Sequence, residues 1–193
     1  MEKESISTAH QRASVLQEAR PQYRLVIPAD EPVSRQVKQL RKEWQEMFGN
    51  KAPSEKPPSI TLACFSAREE MEETLMRWIR RICDQQVIFP VVLNNFSAIP
   101  PQIVYIRVQD AKPFAKLTGL LTSLKDFVQD ERIFEKPFIK LGYMPEDAPT
   151  EVVMQYTHQI FHAAFTARKL ILFKKDGDRW QVVSQFPFRE SAA

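Results

Sequence analysis

Two stretches, Pro58-Ser59-Ile60-Thr61-Leu62-Ala63-Cys64-Phe65 and Pro137-Phe138-Ile139-Lys140-Leu141-Gly142-Tyr143-Met144, decide how the rest of the chain is read. In each, a proline precedes a run with apolar residues at alternate positions, Ile60 and Leu62 in the first and Ile139 and Leu141 in the second. That period describes a strand buried on one face, and proline is tolerated at the start of a strand because it owes no N–H to a ladder there. Each run is followed by an acidic turn and an amphipathic helical pattern. The segments upstream also match. Tyr23–Ile27 reads as a strand leading through Asp30 and Pro32 into a helix with Val33, Val37, Leu40, Trp44, Met47 and Phe48 on one stripe. Gln102–Val108 reads as a strand leading through Asp110 and Pro113 into a helix with Phe114, Leu117, Leu120, Leu121 and Leu124 on one face.

Downstream the order continues in parallel. After the first stretch, Ser66 and Glu69 form the pattern of a capping box for a helix carrying Met71, Leu75, Ile79 and Ile82, and Val87 to Ile99 is strand-rich. After the second, a helix is expected from about Glu151 to Phe165, followed by strands over Arg168–Lys174 and Arg179–Phe188 turned at Asp176-Gly177, with Gln129 to Lys136 a polar loop. Strand, helix, key strand, helix, strand therefore occurs twice. A duplicated unit predicts an α+β protein of two pseudo-symmetric lobes, each a mostly antiparallel sheet with outer helices, whose key strands face one another at a central cleft. Residues 1–20 are expected to be a flexible extension, and residues 21–193 a single bilobal domain.

Composition limits the function classes. The 193 residues are 44% apolar and 26% charged with no apolar run of membrane-spanning length, so no membrane partner is expected. The first residues are polar and acidic without an apolar core, which predicts a cytoplasmic protein. The two cysteines, Cys64 and Cys83, are expected to be reduced core residues. The basic runs Arg35, Lys38, Arg41, Lys42 and Arg77, Arg80, Arg81 read as solvated helix faces. His158 and His162 stand four apart on the predicted last helix, but no glutamate lies between them and no third ligand is near, so no metal site is expected. On a helix packed outside the sheet they would also point away from the cleft. Only four glycines occur, widely separated, which excludes a phosphate-binding glycine loop, and no cofactor is expected.

The order of elements, together with Pro-Ser59-Ile-Thr61-Leu and Pro-Phe138-Ile-Lys140-Leu-Gly142, resembles the two-histidine phosphoesterase superfamily, the 2'-5' RNA ligase and cyclic phosphodiesterase-like proteins. The resemblance covers about residues 22 to 188. It implies a His-x-Thr/Ser motif on each of two symmetry-related strands. One histidine takes a proton from the attacking hydroxyl, the other gives one to the leaving oxygen, and the two hydroxyl residues hold the phosphate. In this chain Ser59 stands at the first histidine and Thr61 at its hydroxyl partner, while Phe138 stands at the second histidine and Lys140 at the second hydroxyl. Imidazole gains and loses a proton near pH 7, an unactivated serine does not, and a phenyl ring has no proton to transfer. The expectation is therefore a degenerate, catalytically inactive relative that keeps a binding cleft. Thr61 and Ser59 would supply hydroxyls, Lys140 a positive charge, and Tyr143 a ring against which a base could stack. The implied ligand is a phosphate-containing or nucleotide-like molecule or a partner in the cleft, and the resemblance extends this to RNA. Two alternatives stand beside it: an active cyclic phosphodiesterase or 2'-5' RNA ligase working with rearranged residues, and a structural or interaction protein.

Overall fold

The structure is a computed structural model that describes residues 20–48, 57–99, 103–143 and 158–190. The predicted extension lies almost wholly outside the described residues, as does the Glu151-to-Thr157 part of the predicted last helix. The first strand, β1 (Gln22–Pro28), buries Tyr23, Leu25 and Ile27 completely. Helix α1 (Glu31–Phe48) begins where Asp30 Oδ1 accepts the Val33 N–H at 3.0 Å, satisfying a donor that the helix itself leaves unpaired. It buries Val33, Val37 and Trp44. Strand β2 (Ser59–Ser66) carries the first key stretch, and a single 3-10 turn, Glu69–Met71, leads into α2 (Glu72–Cys83).

Two strands, β3 (Phe89–Ile99) and β4 (Ile103–Val108), precede α3 (Lys112–Leu121), where Asp110 Oδ1 accepts the Lys112 N–H at 2.9 Å. Then come β5 (Gln129–Ile133), β6 (Phe138–Tyr143) with the second key stretch, β7 (His162–Ala167), β8 (Lys169–Asp176) and β9 (Arg179–Pro187). No helix among the described residues is long and apolar enough to cross a membrane.

Three expectations are corrected. The C-terminal part of the predicted last helix is strand β7, because Ala163, Phe165 and Ala167 are buried in alternation and β3 offers an open edge from Phe89 to Asn94. The stretch expected as a polar loop contains β5, whose residues Gln129 to Arg132 are solvent-exposed yet pair with the far end of β2. Ser66 caps no helix, since its pairing with Gln22 and Gln129 keeps it extended as the last residue of β2. Glu69, its supposed box partner, instead pairs with Lys174, which also holds Glu72 at 3.1 Å. Glu72 in turn accepts the Tyr23 hydroxyl at 2.9 Å.

Among the described residues the nine strands join one sheet in the order β7-β3-β4-β6-β2-β1-β8-β9, with β5 attached to β2 and each of these strands pairing antiparallel. The sheet has a seam. Between β6 and β2 the only registered pair is Ile60 with Ile139, so the sheet divides there into one lobe of β7, β3, β4 and β6 and another of β2, β1, β8 and β9. The duplication is visible to single residues. On β2, Leu25 pairs with Ala63 and Val26 with Thr61, skipping Leu62. On β6, Val104 pairs with Gly142 and Tyr105 with Lys140, skipping Leu141. Both key strands thus carry a bulge directly after the second motif position, and a bulge bends its strand and re-aims the side chains beyond it.

Cys83, at the end of α2, is 1% exposed, and burial, reinforced by the neighbouring Asp84 carboxylate, pushes its thiol up to about 12. Since the thiolate is the reacting form, only about 1 in 10⁴ of these groups is ionised at pH 8. Cys64 is half-buried on β2. A thiol reagent at pH 8 is expected to titrate Cys64 in the native protein and Cys83 only after unfolding. Equal rates for the two would show that the packing of α2 does not bury Cys83.

Candidate functional site

Ile60 and Ile139, paired across the seam, are both fully buried. Strand alternation then turns their neighbours Ser59, Thr61, Phe138 and Lys140 to the opposite face, where all four are half-buried. The antiparallel register set by this one pair puts Ser59 across from Lys140 and Thr61 across from Phe138. The four motif positions thus meet as one quartet at the seam, although the two halves of the quartet are nearly eighty residues apart in sequence.

Around this quartet the side chains are held from both faces. The Lys140 ammonium lies 3.2 Å from the centre of the Tyr143 ring, so the bulge at Leu141 brings both residues to one face. Tyr143 is 46% exposed, with one ring face covered by the lysine. Phe138 leans along its own lobe onto Tyr105, ring centres 4.9 Å apart. On the buried side, α1 crosses the seam to pack on β6, and Trp44 donates its indole N–H to the Tyr143 carbonyl at 3.2 Å. Arg41 donates to the Lys140 carbonyl from Nη2 at 2.9 Å and Nε at 3.3 Å. Burial lowers this guanidinium from its ordinary value to about 10, which corrects its assignment to a solvated face. The signal was in the spacing, because Arg41 follows Val37 by four and precedes Trp44 by three, within the buried stripe.

Neither described histidine reaches the quartet. His158 sits exposed in a turn, so the pair has no shared helix face. His162 is exposed on β7 opposite Asn94, on the face that also carries Arg107 and Phe138, which reverses the expectation that it points away from the cleft. With β7, β3, β4 and β6 in sequence, three inter-strand steps put it roughly 14 Å from β6. Among the described residues no three metal-ligating side chains cluster.

The sequence of residues 29–179 matches the 2'-5' RNA ligase superfamily. The chain belongs to that superfamily. Its fold agrees. A protein designated TT0787 from Thermus thermophilus superposes with a TM-score of 0.71 at 16% identity, covering 89% of this chain and 100% of that one. Escherichia coli LigT in its apo form gives 0.69 at 16% identity over 87% of this chain and 97% of LigT. LigT complexed with 3'-AMP gives 0.63 at 17% identity over 87% and 98%. No curated protein matches the sequence. Within this superfamily the chain is a 2'-5' RNA ligase-like protein.

Proposed function

We propose that this member of the 2'-5' RNA ligase superfamily binds a phosphate-bearing, nucleotide-like ligand at the seam and does not catalyse the acid-base chemistry implied by the resemblance. The observation that supports it is the quartet itself. It retains hydroxyls at Ser59 and Thr61, adds the Lys140 ammonium opposite Ser59, and has at the second histidine position a phenyl ring packed onto Tyr105. A half-buried ammonium beside two hydroxyls can grip an oxyanion through charge-assisted hydrogen bonds. With neither imidazole, the site has no group to move a proton near pH 7. LigT, one of the structural neighbours, has been crystallised with phosphate and with 3'-AMP, which directs the choice of ligand for the test. Lys140 covers one face of Tyr143, leaving the other face for a base to stack on.

Calorimetric titration with 3'-AMP tests the proposal. Lys140→Glu replaces attraction by repulsion at the phosphate, and the expected weakening is at least about 100-fold, to undetectable heat. Tyr143→Ala is expected to cost about 10-fold through the lost stacking surface. Unchanged affinity in Lys140→Glu would remove the ligand from this seam.

A further inference from the structure

A cavity opens farther along β2, past the seam. Past the bulge, Cys64 and Ser66 continue the face of Ser59 and Thr61, and here β2 is flanked by β5 instead of β6. The cavity measures about 440 Å³ and is lined by Arg24 of β1, Cys64 and Ser66 of β2, Asp130 and Arg132 of β5, and Trp180 of β9. From Thr61 to Cys64 is roughly 10 Å of strand, so this is a place apart from the quartet.

The charges here are unspent. The Arg24 guanidinium carbon lies over the Trp180 indole, 4.3 Å from the ring centre, and Nε of the same side chain is buried without a hydrogen-bond acceptor among the described residues. A buried donor without a partner is uncommon in folded proteins, because it gives up water for nothing in return. Arg132 is paired opposite Cys64 in the ladder and forms no ion pair among the described residues. Asp130 is exposed at the same cavity, also without an ion-pair partner among the described residues. Two guanidinium groups against one carboxylate leave a net positive cavity. The arginine over Trp180 has already lost much of the rotamer freedom that binding would otherwise cost.

We propose that this cavity is an oxyanion subsite, separate from the seam, that takes a phosphoryl or carboxylate group between Arg24 and Arg132. Arginine suits the task because its planar fork matches the two oxygens of such a group. Asp130 acts as a counterweight, since its carboxylate repels the same anion. It sits at a φ of 52°, in the left-handed region that asparagine tolerates as readily as aspartate, so Asp130→Asn removes the charge without straining the backbone.

The test is an NMR titration of the full chain with pyrophosphate and, separately, with citrate, following the Trp180 indole N–H and the Arg24 Nε–H. A saturable shift of both signals is expected. Arg132→Gln, an exposed substitution that leaves the sheet intact, should weaken it about 10-fold, and Asp130→Asn should tighten it about 5-fold, the size expected from adding or removing one nearby unit charge. Lys140→Gln should leave it unchanged. Preference for pyrophosphate identifies a phosphoryl group, and equal or better binding of citrate identifies a carboxylate. The subsite is overturned if neither anion shifts the Trp180 signal, if the shift survives undiminished in Arg132→Gln, or if Lys140→Gln abolishes it.

Discussion

The unmodified protein is expected to leave a 2',3'-cyclic nucleotide and a 2'-5' linked dinucleotide at the rate of a blank, and the triple variant Ser59→His, Phe138→His, Lys140→Thr to open the cyclic nucleotide. Antiparallel register is what makes this specific. With Ser59 across from Lys140 and Thr61 across from Phe138, each introduced imidazole would stand opposite a threonine hydroxyl, as a twofold-symmetric pair of His-x-Thr motifs requires. One imidazole would take a proton from the water that attacks phosphorus, and the other would protonate the ribose oxygen as its bond to phosphorus breaks. Each such partner is worth roughly 10²–10⁴ in rate, so single restorations should stay close to the blank while the triple variant rises clearly above it. Its activity should be bell-shaped in pH, with limbs near the ordinary imidazole value of about 6.5, because one histidine must be neutral and the other charged. A folded but inert triple variant would show that residues beyond the motif have also departed. Turnover by the unmodified chain that Thr61→Ala or Lys140→Ala abolishes would overturn the non-catalytic proposal.

How much of this was legible depends on which signals are local. Period-two alternation in Ser59–Phe65 and Phe138–Tyr143, and the aspartates ahead of α1 and α3, are properties of short windows, and the strands and helices lie where they point. From these the two lobes and the paired key strands could be assembled. His162–Ala167 misled because Ile160, Phe161 and Ala164 also fit a helical stripe, and only the open edge of β3 chooses between the two periods. β5 was illegible for the opposite reason. A strand exposed over most of its length needs no apolar alternation, so Gln129-Asp130-Glu131-Arg132 carries no strand signal. With β5 hidden, so was the cavity that it closes over Arg24 and Trp180. The seam itself rests on one residue pair seventy-nine positions apart, a relation that duplication suggested but no window contains.

Gly142→Ala should be the most damaging single methyl that can be added to this site. A Cβ there would fall inside van der Waals distance of the Trp44 indole at Nε1 and Cδ1, and 3.0 Å from Cε2. Trp44 is fully buried and fixed by its hydrogen bond to the Tyr143 carbonyl, so it has little freedom to retreat. Overpacking of this kind costs about 3 kcal/mol or more, equivalent to a fall of roughly 10 °C in Tm for a chain of this size. Gly119→Ala supplies the control. That glycine lies within α3 with nothing inside 4 Å of an added Cβ, so the same methyl should stabilise by about 0.5–1 kcal/mol through helix propensity. Pairing Gly142→Ala with Trp44→Leu should cost less than the sum of the two single changes, because the smaller side chain relieves the clash. Additive costs would place the strain elsewhere. The consequence for the site is direct, because α1 holds β6 through Trp44 on the Tyr143 carbonyl and Arg41 on the Lys140 carbonyl. A methyl at position 142 that lifts the helix from the strand loosens both anchors. Gly142→Ala protein that remains folded at low temperature should therefore also bind 3'-AMP more weakly than the unmodified chain, even though residue 142 points away from the ligand.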